Sequence, residues 1–404
     1  MAVSPLAPAS FPQLPVIDGV RFAAVAAGVR YQNRTDVMLA ELSAGSTVAG
    51  VFTRSATRSA PVLDCQAKNG LASGGGAAFL VNSGNSNAFT GQGGERSVAA
   101  ICAAVTAATG IDTARVFTSS TGVIGEPLPH ERITAKLADL NAALTPDALE
   151  AAARAIMTTD TFPKGSAAEV EIGGKSVKIA GIAKGSGMIA PDMATMLVYL
   201  FTDARIGHPA LQALLTQITD RTFNCITVDS DTSTSDTLLM GATGASGIDV
   251  TGNPDFAAAL ERVMLDLALQ VVRDGEGATK FVEVQISGAV SDADARKVGL
   301  SIANSPLVKT AIAGQDANWG RIVMAVGKSG AQADRDKLSI RFGDITVARN
   351  GWRDPDYSET ATSDYMKQQD LIIGVDLGIG SGAATVWTCD LTHGYIDINA
   401  DYRS

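Results

Sequence analysis

The chain has 404 residues, 46% of them hydrophobic and 18% charged, which supplies a core and excludes a disordered polypeptide. A formal net charge of −10 leaves no basic footprint for nucleic acid or anionic lipid. At about 150 residues per domain the length fits two to three domains or one large α/β body.

Val37–Leu42 and Thr47–Phe52 are apolar, β-branched runs that predict strands, and residues 78–81 predict a third that leads into Asn82-Ser83-Gly84-Asn85. Val98, Ile101, Cys102 and Val105 recur at helical spacing, and Gly110 predicts the stop. The strand-like pair Val116-Phe117 then enters Thr118-Ser119-Ser120-Thr121-Gly122. A helix is expected from Thr145 as N-cap, with Pro146 at its first position, Asp147 in the first turn and Leu149, Ala153 and Ile156 as its apolar stripe. It runs into Thr158-Thr159-Asp160-Thr161. Strands at 168–172 and 176–180 precede the glycine-rich Lys184-Gly185-Ser186-Gly187 and the segment Pro191-Asp192-Met193-Ala194-Thr195. Residues 196–201 are wholly apolar, as in a strand buried on both faces.

In the second half a helix begins at Asn253-Pro254-Asp255, with Phe256, Leu260, Val263, Met264, Leu267 and Val271 on one face, and ends at Arg273-Asp274-Gly275-Glu276-Gly277. A strand at 280–286, a helix at 292–302, and strands near 321–326, 371–375 and 384–389 follow, with residues 395–404 as a short polar tail. The alternation argues an α/β protein in two lobes that meet near residue 195.

Cys65, Cys102, Cys225 and Cys389 form no CxxC pair, so reduced thiols are expected rather than a zinc site or a disulfide framework. Residues 1–15 carry no positive charge, and no apolar run approaches the about 20 residues of a membrane helix. A cytoplasmic protein without membrane or nucleic-acid partners is the expectation. His130, His208 and His393 stand in polar or turn contexts and read as ordinary solvated histidines. A catalytic base, if there is one, is then sought elsewhere.

Thr195 offers one solution. A threonine hydroxyl needs a base held beside it. If the Ala194–Thr195 bond were cut, Thr195 would own a free α-amine of ordinary pKa about 8, able to take the proton from its own hydroxyl. A β-branched residue also suits a strand start for packing reasons alone, so spacing leaves both readings open. Thr121-Gly122 could aim an O–H and an N–H at one oxyanion, or be an ordinary turn. Hydroxyls and a lysine within 158–164 and 184–187 could hold a substrate carboxylate. Lys184-Gly185-Ser186-Gly187 lacks the order of a phosphate loop, and Gly378-Ile379-Gly380-Ser381-Gly382 only weakly matches a dinucleotide fingerprint. Glu276 between two glycines could bind an ammonium group or be a solvated loop acid. Asn399 and Ser404 lie in a tail that ordinarily frays.

Taken together these stretches resemble the ornithine acetyltransferase family, the glutamate N-acetyltransferases of arginine biosynthesis, some of which are also amino-acid N-acetyltransferases. The resemblance runs essentially end to end. Its most specific part is Lys184-Gly185-Ser186-Gly187-Met188-Ile189-Ala190-Pro191-Asp192-Met193-Ala194-Thr195-Met196-Leu197. Supporting stretches are Ser119-Ser120-Thr121-Gly122-Val123-Ile124-Gly125, Thr158-Thr159-Asp160-Thr161, Arg273-Asp274-Gly275-Glu276-Gly277-Ala278-Thr279-Lys280, Asp316-Ala317-Asn318-Trp319-Gly320-Arg321 and Ile398-Asn399-Ala400-Asp401-Tyr402-Arg403-Ser404.

The resemblance implies self-cleavage between Ala194 and Thr195 into an α chain, 1–194, and a β chain, 195–404, with Thr195 as nucleophile. It implies Thr121 and Gly122 as the oxyanion hole, and Thr161 (with Thr159 beside it), Lys184, Thr195, Glu276, Asn399 and Ser404 as substrate-binding positions. It implies a layered α/β sandwich of the ornithine acetyltransferase and self-processing aminopeptidase type, analogous to N-terminal-nucleophile hydrolases, assembled from two α and two β chains. The implied reaction carries acetyl from N2-acetyl-L-ornithine to L-glutamate without metal or cofactor, with acetyl-CoA left open as a second donor. Two other readings stand beside it: a self-processing N-terminal-nucleophile aminopeptidase or amidohydrolase, in which water accepts the acyl group, and a non-catalytic small-ligand-binding protein.

Overall fold

The computed structural model describes residues 2–71, 74–190 and 196–400. Its first strands and helices are β1 (Val20–Val25), β2 (Val37–Leu42), β3 (Thr47–Phe52), α1 (Ala60–Lys68), β4 (Ala77–Asn85), α2 (Gly91–Thr109), β5 (Val116–Val123), α3 (His130–Thr134), α4 (Leu137–Ala142), α5 (Leu149–Ala155), β6 (Lys164–Ile172) and β7 (Lys175–Lys184). Beyond residue 195 come β8 (Leu197–Thr202), α6 (His208–Thr219), β9 (Thr237–Ala242), α7 (Pro254–Arg273), β10 (Phe281–Ala289), α8 (Asp292–Ala303), α9 (Pro306–Ala313) and α10 (Trp319–Gly327). The chain ends with β11 (Ser339–Phe342), β12 (Ile345–Arg349), β13 (Trp352–Arg353), α11 (Glu359–Tyr365), β14 (Asp370–Asp376), β15 (Gly382–Cys389) and α12 (His393–Asn399).

The strands form three sheets, ordered β1-β2-β4-β5, β3-β9-β8-β7-β6 and β13-β12-β11-β14-β10-β15. The first two stack face to face, and strand alternation decides what lies on each side. In β2, Val37 and Leu39 face α2 and α4, whereas Met38, Ala40 and Leu42 face the second sheet. In β8, Leu197, Tyr199 and Phe201 point into the space between the sheets, and Val198 and Leu200 point to α6 and α7. All of β8 is buried, as its unbroken apolar run predicts. Phe201 meets Phe22 edge-on at 4.9 Å, locking the two sheets together. The result is a four-layer α/β sandwich, helix–sheet–sheet–helix. The third sheet carries α8, α9 and α10 on one face and closes its own core.

The long helix α7 follows its sequence signals. Asn253 Oδ1 accepts from Phe256 N at 2.9 Å, Pro254 occupies the first turn, and the predicted apolar face is buried. Likewise α2 ends at Gly110, whose φ of +77° is costly for other residues.

Elsewhere the structure departs from expectation. Thr145 is not a helix cap: its N–H and C=O pair with Phe22 at the edge of the first sheet, and the helix starts at Leu149. Residues 321–326 are helical within α10, because Asn318 caps the turn and Ile322, Ala325 and Val326 bury one face. The tail folds into α12. Strands β4, β6 and β7 extend well beyond their predicted cores. The lobes expected on either side of residue 195 are not separate bodies, since β3, β6 and β7 from one side pair with β8 and β9 from the other in a single sheet.

Candidate active site

Parallel strands β4 and β5 run in register to Ser83↔Thr121 and Gly84↔Gly122, where the ladder shifts at a bulge. This carries Thr121 and Gly122 to the end of the first sheet. A Cβ on residue 122 would lie 2.3 Å from the Gly84 carbonyl carbon, and φ there is +129°, so only glycine allows the approach. In the second sheet Lys184 ends β7 in register with Leu197, two residues past residue 195. The Lys184 Nζ donates to Thr121 Oγ1 at 3.3 Å, bridging the two sheets.

These residues line a cavity of about 300 Å³ together with Thr158, Thr159, Glu276 and Asn399. Glu276 sits in the turn after α7, where Asn399 of α12 donates Nδ2 to Oε2 at 2.7 Å. Gly187 lies against it: a Cβ there would stand 2.3 Å from Oε2. The opposite wall, Asp229, Asp231 and Ser233 to Ser235, comes from the loop before β9, and Tyr395 from α12. Asp229 accepts from the N–H of Met188 at 2.6 Å and of Ile189 at 2.9 Å, and from Tyr395 Oη at 3.2 Å. One ammonium and several carboxylates thus share a small cavity, a charge pattern matched to an amino acid with its own carboxylate and ammonium groups.

Burial shapes the charges. It lowers the Lys184 pKa, with Asp160 opposing and the Lys164 charge adding to the fall. Burial raises Glu276, opposed by the hydrogen bonds from Asn399 and Thr159, and it raises Asp229 as well. Behind the cavity lies a cluster sealed from solvent. Lys164 Nζ sits 2.7 Å from Asp160 Oδ1 and 2.6 Å from Asp274 Oδ2. Burial alone would raise Asp160, but Lys164 and Lys184 hold it well below the carboxylate range. Asp160 also accepts from Gly185 N at 2.6 Å, so this cluster fixes the turn that follows Lys184.

Of the residues singled out from sequence, Thr121, Gly122, Lys184, Glu276, Asn399 and Thr159 are brought together. Thr161 is not among the lining residues: its hydroxyl donates to Asp274 at 2.5 Å. Lys164, the other lysine considered for a substrate carboxylate, is committed to its two aspartates. Ala194, Thr195 and Ser404 lie outside the described residues. Asn399, expected in a frayed tail, is helical and anchored. Asp229, Asp231, Ser233 and Tyr395 were not anticipated; the acidic, hydroxyl-rich run Asp229-Ser230-Asp231-Thr232-Ser233-Thr234-Ser235-Asp236 was the available signal. Among the described residues no group of three or more His, Cys, Asp or Glu could hold a metal ion, and no helix is long and apolar enough to cross a membrane.

The chain is similar to known proteins over its whole length. It is 75% identical over 402 residues to the arginine biosynthesis bifunctional protein ArgJ of Ruegeria pomeroyi, covering 100% of this chain and 98% of that protein. It is 56% identical over 413 residues to the protein of the same name from Agrobacterium fabrum, covering 100% of each. Among solved structures, a chain of the ArgJ protein of Bacillus halodurans is 44% identical with a TM-score of 0.49, covering 50% of this chain and 97% of that one. The ArgJ family model matches residues 21–404, and with these relatives it shows that the chain belongs to the ArgJ family.

Proposed function

We propose that this protein is a self-cleaving acetyltransferase of arginine biosynthesis, which moves the acetyl group of N2-acetyl-L-ornithine to L-glutamate through an ester on Thr195. The observation that carries the reading is the full-length, 75% identity to a protein named for this pathway. The cavity supports it, because its mixed charges sit where β8 begins, two residues past Thr195.

In the maturation step, the Thr195 hydroxyl attacks the Ala194 carbonyl carbon. The C–O bond forms, the C–N bond breaks, and the hydroxyl proton ends on the departing amine. Water then hydrolyses the ester, giving chains 1–194 and 195–404. In turnover the same hydroxyl attacks the acetyl carbonyl of acetylornithine, with the α-amine of Thr195 taking the proton and returning it to the departing ornithine amine. Thr121 and Gly122 donate to the oxyanion. Glutamate then attacks the acetyl ester, so the kinetics are ping-pong. Lys184 neutralises a substrate carboxylate, and Glu276, held by Asn399, pairs with a substrate ammonium. Ser404 joins them in binding, and Thr161 acts at one remove through Asp274. Acetyl-CoA is a second donor able to form the same ester. The working assembly is two α and two β chains in the cytoplasm, with no metal or other cofactor.

Denaturing mass spectrometry tests the reading. The wild type should give two polypeptides that separate between Ala194 and Thr195. Thr195→Ala should remain a single inactive chain. Normal turnover by Thr195→Ala would overturn the mechanism, and release of free acetate in place of transfer to glutamate would instead make the enzyme an amidohydrolase.

A further inference from the structure

On the functional reading above, the departing and the entering amino acid use one cavity in turn. At about 300 Å³ it lies at the small end of ligand pockets, with room for one amino acid at a time. Ornithine and glutamate share an α-amine and an α-carboxylate. Their side chains differ in sign: an ammonium on ornithine, a carboxylate on glutamate. The same lining must therefore receive a cation in one half-reaction and an anion in the other.

Lys184 is the only cationic side chain among the described residues of that lining. Its Nζ donates to Thr121 Oγ1 at 3.3 Å, on the oxyanion side, which suits the α-carboxylate common to both substrates. Two of the three lining carboxylates are committed or at the rim. Asp229 accepts from the N–H groups of Met188, Ile189 and Asp231 and from Tyr395 Oη. Asp231 is exposed to solvent. Glu276 is the buried one, 8% exposed. Asn399 Nδ2 donates to its Oε2 at 2.7 Å, a contact that survives protonation of the other oxygen. An ionised Glu276 suits the ornithine ammonium and repels the glutamate side chain. Two carboxylates forced into one buried site do not both stay ionised: one takes a proton and donates it in a hydrogen bond to the other.

We propose that Glu276 is the specificity-determining residue that lets one cavity take both substrates: ionised, it pairs with the ornithine ammonium, and protonated, it donates a hydrogen bond to the glutamate γ-carboxylate. The proton enters from solvent with glutamate and returns to solvent after N-acetylglutamate leaves. Glutamate binding thus consumes a proton that ornithine binding does not. The surroundings favour this exchange. Burial raises the Glu276 pKa, and the charge of Asp229 adds to the rise, while the hydrogen bonds from Asn399 and Thr159 and the charge of Lys184 oppose it. Tyr395, from α12, stays a neutral phenol, its pKa raised by burial and by Asp229. A substrate carboxylate adds one more negative charge and pushes Glu276 the same way as Asp229.

Calorimetric titration of the purified wild type with each amino acid, at about pH 7.5 in phosphate and in Tris, counts protons from the dependence of the binding heat on the ionisation heat of the buffer. Glutamate should take up about 0.5–1 proton more per site than ornithine. Equal uptake overturns the proposal. Glu276→Gln keeps a hydrogen-bond donor and loses the charge. In ping-pong kinetics kcat/KM for each substrate reports its own half-reaction. The variant should therefore lose about 10- to 150-fold in kcat/KM for acetylornithine and stay within about threefold for glutamate, and the difference in proton uptake should vanish. Equal losses for the two substrates mark a merely structural role and overturn the proposal. Failure of the wild type to move acetyl from acetylornithine to glutamate at all would instead sink the functional reading.

Discussion

Lys164→Met is the sharpest test of how the cavity floor is held. Methionine has nearly the length of lysine but no charge. In the wild type the ammonium lies between two carboxylates, all three side chains sealed from solvent. After the substitution Asp160 keeps the N–H groups of Gly185 and Thr158, and Asp274 keeps the N–H and hydroxyl of Thr161, but neither keeps Lys164. Removing one partner of a buried pair typically costs about 3–5 kcal/mol. Unfolding entropy of about 2.1 cal/mol/K per residue amounts to about 0.85 kcal/mol/K over 404 residues, so Tm should fall by about 4–6 °C. The pH dependence has a definite sign. In the wild type Asp160 titrates below its ordinary value, so its contribution is present above an unfolded pKa of about 3.9 and is lost as the pH falls through the lower folded value. In the variant the chief counter-charge is gone and burial prevails. The penalty is then greatest near neutrality and shrinks as acid protonates the two carboxyls. Scanning calorimetry at about pH 7.5 and about pH 5.5 should show a narrower Tm gap at the lower pH. A gap under about 1 °C near neutrality, or one that widens in acid, would refute the reasoning.

Other expectations address the cavity itself. Thr121→Val removes one oxyanion donor, and steady-state kinetics should show kcat lowered about 10²–10³-fold with KM little changed. Gly187→Ala places a methyl group where the Glu276 carboxylate now lies, 2.3 Å from Oε2. Losing one charge-assisted contact, about 1.5–3 kcal/mol, should lower kcat/KM about 10- to 150-fold with Tm nearly unchanged, and a value within about twofold of wild type would disprove that contact. Because burial raises the Glu276 pKa, an ion pair with a substrate ammonium should be lost as pH falls through a value above the ordinary 4.5. The acid limb of kcat/KM should inflect there and disappear in Glu276→Gln.

The elements that sequence patterning located best are those whose apolar residues recur at one clear period or in one unbroken run. In β2, β3 and α7 the period of the hydrophobic residues and the cap residues decide the structure locally, so they agree with the strands and helices seen. Misreadings arose where a local signal met a tertiary competitor. Thr145 has every mark of a helix cap, yet its backbone finds a sheet partner in Phe22, and a two-bond pairing with an existing strand outweighs one cap. Residues 321–326 are apolar enough for either period, and packing against α8 selects the helical one. At the site, Thr121-Gly122 and Lys184 could be singled out because short glycine-adjacent motifs carry local geometry. That Lys164 is neutralised could not be read from spacing, since its partner Asp274 lies 110 residues away.

The amino-acid order alone determined an α/β protein, the buried strand after residue 195, the family, and the part of the cavity made by Thr121, Gly122, Thr159, Lys184, Glu276 and Asn399, because hydrophobic period, glycine placement and motif identity are properties of neighbouring residues. Tertiary structure alone decided that Lys164 is neutralised behind the cavity by Asp160 and Asp274. It also decided that strands from both sides of residue 195 share one sheet, and that Asp236 and Met196, 40 residues apart, meet through a hydrogen bond. Those outcomes depend on long-range pairing, which no local spacing encodes: a charge is free or compensated only once the chain has closed around it.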